Sequence, residues 1–170
     1  MRLFTRNGHD WTERLPRQCK ALQALKLKDS WLDGEVVSLN GDGLPDFQAL
    51  QNAFDIGRSL DIVYYLFDAP FLNGRDQREE PVEERRAALK SALSASRSKL
   101  LRFSEAFAAS QRDIFESACD LALEGVIGKR AGSPYVSRRS ADWIKLKCRL
   151  RQEFVIVGYT RPQGSRSGFG

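Results

Sequence analysis

At 170 residues the chain has room for one domain with a sizeable core, and a hydrophobic content of 42% suits a globular protein. No apolar run approaches the roughly 20 residues of a membrane span, and the N-terminus lacks the basic-then-apolar order of a signal peptide. The lone histidine, His9, argues against a histidine-rich transition-metal site, so a metal here should be a hard cation held by carboxylates. The net charge of +5 is unevenly spread: residues 1–29 carry +4, residues 30–128 carry −7 and residues 129–170 carry +8. Basic ends on an acidic middle suit a polyanionic partner. Cys19, Cys119 and Cys148 are widely spaced in apolar patterns and read as buried free thiols of a reducing cytoplasm.

The first residues, Met1 to Thr5, are strand-like and run into the turn Arg6-Asn7-Gly8. Thr12 is placed to cap a helix with Glu13 and Pro16 in its first turn and Leu15, Cys19 and Leu22 on its apolar side. Trp31 to Leu39 reads as a strand, ending in the turn Asn40-Gly41-Asp42-Gly43, with Asp33, Glu35 and Val37 on one face. A carboxylate inside an apolar strand needs a partner. Asp46 caps a short helix that puts Phe47, Leu50 and Phe54 on one side. The continuous apolar run Ile62 to Asp68 is a central strand, which Ala69-Pro70 should break into a loop.

Pro81 opens a helix with Glu83 and Glu84 early and Arg85, Arg86 and Lys90 late, matching the helix dipole; those charges read as a solvated face. A further helix, about Ser110 to Leu121, carries a capping pair in Ser110 and Asp113, with Ile114, Ala118, Leu121 and Ala122 on its apolar side. Glu124 to Arg130 forms a strand that opens on a carboxylate, and Ala131 to Ser140 an exposed basic loop.

In the strand Trp143-Ile144-Lys145-Leu146-Lys147-Cys148, alternation puts Ile144, Leu146 and Cys148 on one face and Trp143, Lys145 and Lys147 on the other. An apolar face turned to the core leaves two ammonium groups side by side, at a cost unless an anion sits between them. A phosphate is the obvious anion, and a solvated edge strand is the plainer reading. Phe154 to Tyr159 starts one more strand.

In order, Leu3-Phe4-Thr5-Arg6-Asn7-Gly8-His9-Asp10-Trp11-Thr12, Leu32-Asp33-Gly34-Glu35-Val36-Val37, the aromatic strand ending Phe67-Asp68, Glu124-Gly125-Val126-Ile127-Gly128-Lys129-Arg130 and Trp143-Ile144-Lys145-Leu146-Lys147 form a series. This series resembles the covalent nucleotidyltransferases, and among them the ATP-dependent DNA ligases of bacterial nonhomologous end joining. Gly158-Tyr159-Thr160-Arg161-Pro162-Gln163-Gly164 adds to the likeness. The resemblance implies an α+β fold of antiparallel sheets flanked by helices. Residues 1–151 would be a partial adenylation domain, and residues 152–170 the beginning of an OB-fold domain.

It also implies ATP and Mg²⁺ as cofactors, nicked or broken double-stranded DNA as substrate, and a bacterial, nucleoid-associated cytoplasmic setting. Ku and fused polymerase and phosphoesterase domains are expected around the intact protein. Such enzymes pass AMP from ATP to a lysine, then to a DNA 5′-phosphate, and then seal the nick. By this likeness Lys145 and Lys147 hold the α-phosphate, Glu124 helps hold Mg²⁺, and Glu35 contacts ribose or metal. Phe67 stacks on adenine, with a core aromatic as the plainer reading. Arg6 contacts ribose or the nick phosphate, and Lys129, Arg130, Arg138 and Arg139 make non-specific phosphate contacts.

The sequence departs from the family in one respect. The Lys-x-Asp-Gly motif that carries the nucleophilic lysine occurs nowhere in these 170 residues, and Lys28-Asp29-Ser30 is a poor substitute. The expectation is therefore a fragment truncated at its N-terminus, of low stability by itself and unable to ligate. The rival readings are a catalytically dead nucleic-acid-binding remnant and a covalent nucleotidyltransferase of the RNA ligase or guanylyltransferase type.

Overall fold

The structure is a computed structural model that describes residues 1–55, 62–107, 110–121 and 123–148. The expected OB-fold beginning at 152–170, with its Phe154 strand, lies outside the described residues, as does Ala122. Strands β1 (Trp31–Ser38), β2 (Ile62–Leu72), β3 (Arg75–Asp76) and β4 (Leu101–Phe103) make one sheet, and β5 (Gly125–Lys129) and β6 (Trp143–Lys147) a two-stranded ribbon. The helices are α1 (Pro16–Ala24), α2 (Phe47–Asp55), α3 (Val82–Leu93) and α4 (Gln111–Asp120). The antiparallel sheets flanked by helices are as the resemblance implies, with one addition: β4 joins β2 in parallel.

The long apolar run is central because both of its faces are covered. Ile62, Leu66 and Ala69 of β2 are fully buried, and Leu66 and Ala69 pack with Ala21 and Leu22 of α1, Leu89 and Leu93 of α3, and Leu101 of β4. The expected break at Pro70 does not occur, and β2 continues to Leu72. Gly34 pairs with Leu66 and Asp33 with Asp68, so Phe67 is an extra residue in β2; Trp31 pairs with Phe71, so Leu32 is matched against both Ala69 and Pro70. A proline lacks the ladder N–H, and an irregular register is where a central strand tolerates one. Gly34 lies hard against the Tyr65 carbonyl and the Tyr64 ring, where a β-carbon has no room.

At the N-terminus Phe4 bridges Asp10, and the intervening turn carries Gly8 at φ +81°. Thr12 does not cap the first helix. It opens a short 3-10 turn, its hydroxyl accepts from the Leu3 N–H, and α1 starts at Pro16, a favoured first helical residue. The apolar stripe holds, with Leu15, Cys19 and Leu22 buried. Asp46 caps α2 as expected, accepting from the Ala49 N–H at 2.8 Å, but Phe47 is largely exposed while Phe54 meets the Trp11 ring edge-on. Ser110 caps α4 by accepting from the Asp113 N–H.

Three further expectations are corrected. Of the cysteines only Cys19 is a buried free thiol; Cys119, at the end of α4, and Cys148, just past β6, are joined in a disulfide with their Cα atoms 5.3 Å apart. The charges of α3 are not all solvated, since Arg85 is fully buried. The apolar face of β6 does not reach a core: Ile144 and Leu146 are 52% and 40% exposed. Among the described residues no helix is long and apolar enough to cross a membrane.

Candidate functional site

The ribbon places the lysines. Antiparallel register sets Lys129 opposite Trp143, Ile127 opposite Lys145 and Gly125 opposite Lys147, so these six residues share one face. Gly125 is required here: its backbone is at φ +148° and a β-carbon would run into the Leu146 carbonyl. The anion that two neighbouring ammonium groups call for is supplied by the chain itself. Glu124 Oε1 lies 2.6 Å from Lys145 Nζ and 3.5 Å from Lys147 Nζ. The hydrogen bond from Lys145, then its charge and that of Lys147, hold the Glu124 carboxyl below its usual range. All three groups are substantially exposed, so the cluster is open to exchange its carboxylate for another anion.

At the other end of this face Trp143 meets the half-buried Phe67 edge-on, with ring centroids 6.2 Å apart. Lys129 lies between them, its Nζ 3.7 Å from the Trp143 centroid and 4.6 Å from that of Phe67. The resemblance placed Lys129 among the non-specific phosphate contacts; the structure encloses it, with its side chain 15% exposed and Nζ 3.8 Å from Asp68 Oδ2. Burial lowers Lys129 to about 8, with Asp68 opposing the shift and Arg86 and Arg85 adding to it. An unfolded lysine near 10.5 keeps its proton where the folded one has lost it. The unfolded chain therefore binds more protons between the two values, and this group's contribution to stability rises with pH across that window. Urea unfolding of the wild type and Lys129→Met should show the wild type gaining on the variant from about pH 8 to pH 10.5; a pH-independent difference would contradict the shift.

Beneath the aromatic pair lies a buried ion pair. Arg85 grips Asp68 with both prongs, Nε to Oδ1 at 2.8 Å and Nη2 to Oδ2 at 3.0 Å, and both side chains are fully buried. Arg86 donates to the Phe67 carbonyl at 2.9 Å and to the Ser104 carbonyl, fixing the backbone at Phe67. The strand carboxylate that needs a partner is Asp33, which accepts from the Tyr135 hydroxyl at 2.5 Å. Burial pushes Asp33 above its usual range, with the Tyr135 hydrogen bond pulling against it. Sequence reasoning did not connect Asp68 with Arg85 or Asp33 with Tyr135. The one available signal was the carboxylates themselves, set in apolar strands.

The other candidate residues are exposed. Arg6 stands in the first turn, Glu35 on β1 opposite Tyr65, and Arg138 and Arg139 on the basic loop. Arg130 leans on Asp142 at 3.3 Å. The structure thus gathers Phe67, Lys129, Trp143, Lys145, Lys147 and Glu124 about one ribbon face, and leaves Arg6 and Glu35 on other elements. Among the described residues no group of three or more His, Cys, Asp or Glu could cage a metal. Glu124, an exposed carboxylate with room for water around it, is of the kind that could serve Mg²⁺, which keeps several waters and takes one or two carboxylates.

The ribbon thus carries paired lysines and a carboxylate and is set against an aromatic-lined strand. Residues 1–147 match the family model described as ATP dependent DNA ligase domain, and the chain belongs to that family. Over its whole length it is 62% identical to the Multifunctional non-homologous end joining protein LigD of Pseudomonas aeruginosa, covering 20% of that protein. It is 31% identical to the SPbeta prophage-derived DNA ligase-like protein LigB of Bacillus subtilis, with 99% of this chain and 65% of that one aligned. The crystal structure of the ligase domain from Mycobacterium tuberculosis LigD superposes with a TM-score of 0.75 at 32% identity, over 86% of this chain and 47% of that one. A mycobacterial DNA ligase D complexed with ATP and MES gives 0.74. The chain therefore spans between a fifth and two thirds of the length of these relatives.

Proposed function

We propose that these residues form the nucleotide- and phosphate-handling part of an ATP-dependent DNA ligase that joins broken or nicked double-stranded DNA. The observation that carries this reading is the shared carboxylate: Lys145 and Lys147 converge on one anion, Glu124, on the face that ends at Phe67 and Trp143. In this reading the α-phosphate of ATP takes the place of the carboxylate between the lysines. Their ammonium groups offset the charge that develops on phosphorus oxygens as AMP is transferred. Glu124, released from the lysines, would be the residue to hold Mg²⁺, and the ion would supply charge neutralisation on the phosphates.

Phe67 offers its ring to adenine, and Glu35 faces ribose or metal. Arg6 takes ribose or the nick phosphate, and Arg130, Arg138 and Arg139 take DNA phosphates, with Lys129 supporting the aromatic pair instead of the duplex. End joining in a bacterial cytoplasm, near the nucleoid and alongside Ku and fused polymerase and phosphoesterase domains, completes the proposal. The second reading is a nucleic-acid-binding remnant that uses the basic loop, where Arg138 and Arg139 are exposed.

Exchange decides between them. These residues should be put in place of the aligned segment of the Pseudomonas relative, and the product given labelled ATP, Mg²⁺ and nicked substrates. Formation of a lysyl-AMP adduct and sealing of nicked DNA is the expected result, with no adduct on the 170 residues alone. An exchanged protein that folds and forms no adduct establishes the remnant, and a preference for nicked RNA the RNA ligase type.

A further inference from the structure

The basic loop between β5 and β6 is closed at its base and pinned along its first half. At the base the Arg130 N–H donates to the Asp142 carbonyl at 2.7 Å, and Ser140 Oγ lies 3.2 Å from Asp142 Oδ2. Above it the Gly132 N–H donates to both Glu83 carboxylate oxygens, at 3.1 and 3.0 Å. Arg85 Nη1 donates to the Ser133 carbonyl at 3.0 Å, and the Tyr135 N–H to the Arg78 carbonyl at 2.7 Å. The Tyr135 hydroxyl reaches across to Asp33 on β1. Ser133 is buried and Tyr135 half-buried, whereas residues 136–139, with Arg138 and Arg139, are exposed. A loop with its ends together and one flank anchored is a presentation device, and what this one presents is two adjacent guanidinium groups.

We infer that Glu83 and Tyr135 are positioning residues for DNA binding: they hold residues 131–135 against α3 and β1 so that Arg138 and Arg139 meet backbone phosphates in a preformed geometry. This rests on the proposed reading of the two arginines as phosphate contacts. Preorganisation reduces the ordering cost of binding, and that saving is lost when the anchors go. The charge change at Glu83 makes the inference sharp. Removing a carboxylate from a DNA-binding protein should tighten binding if only the summed field matters. Loss of the anchor should weaken it.

The test is affinity of the chain for a nicked duplex across a salt series, with the fold of each variant checked by thermal melting. Arg138→Ala/Arg139→Ala should reduce the slope of log K against log salt by about 2, one for each phosphate contact. Glu83→Ala should weaken binding severalfold despite its added positive charge, and move the slope toward that of the double variant. Tyr135→Phe should do the same with no change in charge. Glu83→Gln, which keeps one acceptor for Gly132, should fall between and serves if the alanine variant does not fold. Wild-type affinity and slope in folded Glu83→Ala and Tyr135→Phe, with a reduced slope in the arginine variant, would overturn the positioning role alone. A wild-type slope in Arg138→Ala/Arg139→Ala would overturn the phosphate reading of the loop and the inference with it.

Discussion

Replacing Arg85 by leucine should lower the unfolding free energy by about 3–5 kcal/mol, the usual cost of leaving half of a buried ion pair behind. Asp68 would then lie fully buried with the Ala69 N–H at 2.9 Å and Lys129 Nζ at 3.8 Å but without its guanidinium, and the Ser133 and Glu80 carbonyls would each lose a donor. Domains of this size are stable by about 5–15 kcal/mol, so this one change removes a large share. Urea unfolding measures it, and a loss under about 1 kcal/mol would show that Asp68 is neutral or hydrated in place. Arg85→Leu combined with Asp68→Leu should recover much of the loss, because no uncompensated charge then remains.

The second large effect is chemical. In the Pseudomonas relative carrying these residues, Lys145→Ala should slow transfer of AMP to the lysine by about 10²–10³-fold, the usual loss when one donor to a developing oxyanion is removed. Lys147 sits farther from Glu124 and more exposed, so Lys147→Ala should cost less. Rapid-quench measurement of adduct formation with labelled ATP tests both. Equal rates in Lys145→Ala and wild type would remove Lys145 from the phosphate seat and return the pair to an ordinary solvated strand.

Much of this site was legible in the order of residues because alternation in a strand is a strict geometric rule. Trp143, Lys145 and Lys147 had to share a face, and two ammonium groups there had to find an anion. That the anion at hand is Glu124 depended on register, which puts Gly125 opposite Lys147. Pro70 misled because a proline ends a strand in most contexts, and the register irregularity that accommodates it shows only in the pairing. Arg85 misled for a different reason. A basic residue on an amphipathic helix nearly always faces water, and its carboxylate partner lies 17 positions upstream on another element. The cysteines carried no spacing signal, since Cys119 and Cys148 meet only when α4 packs beside the ribbon.

That last contact changes the connectivity of the molecule as well as its packing. The bond between Cys119 and Cys148 closes a covalent ring over a 29-residue separation, and the ring contains Glu124, Lys129, the whole basic loop, Lys145 and Lys147. The proposed phosphate seat and the proposed DNA-contacting arginines thus lie on one circle of chain. A single backbone cut at the exposed arginines would open that circle without parting the two strands that hold the seat.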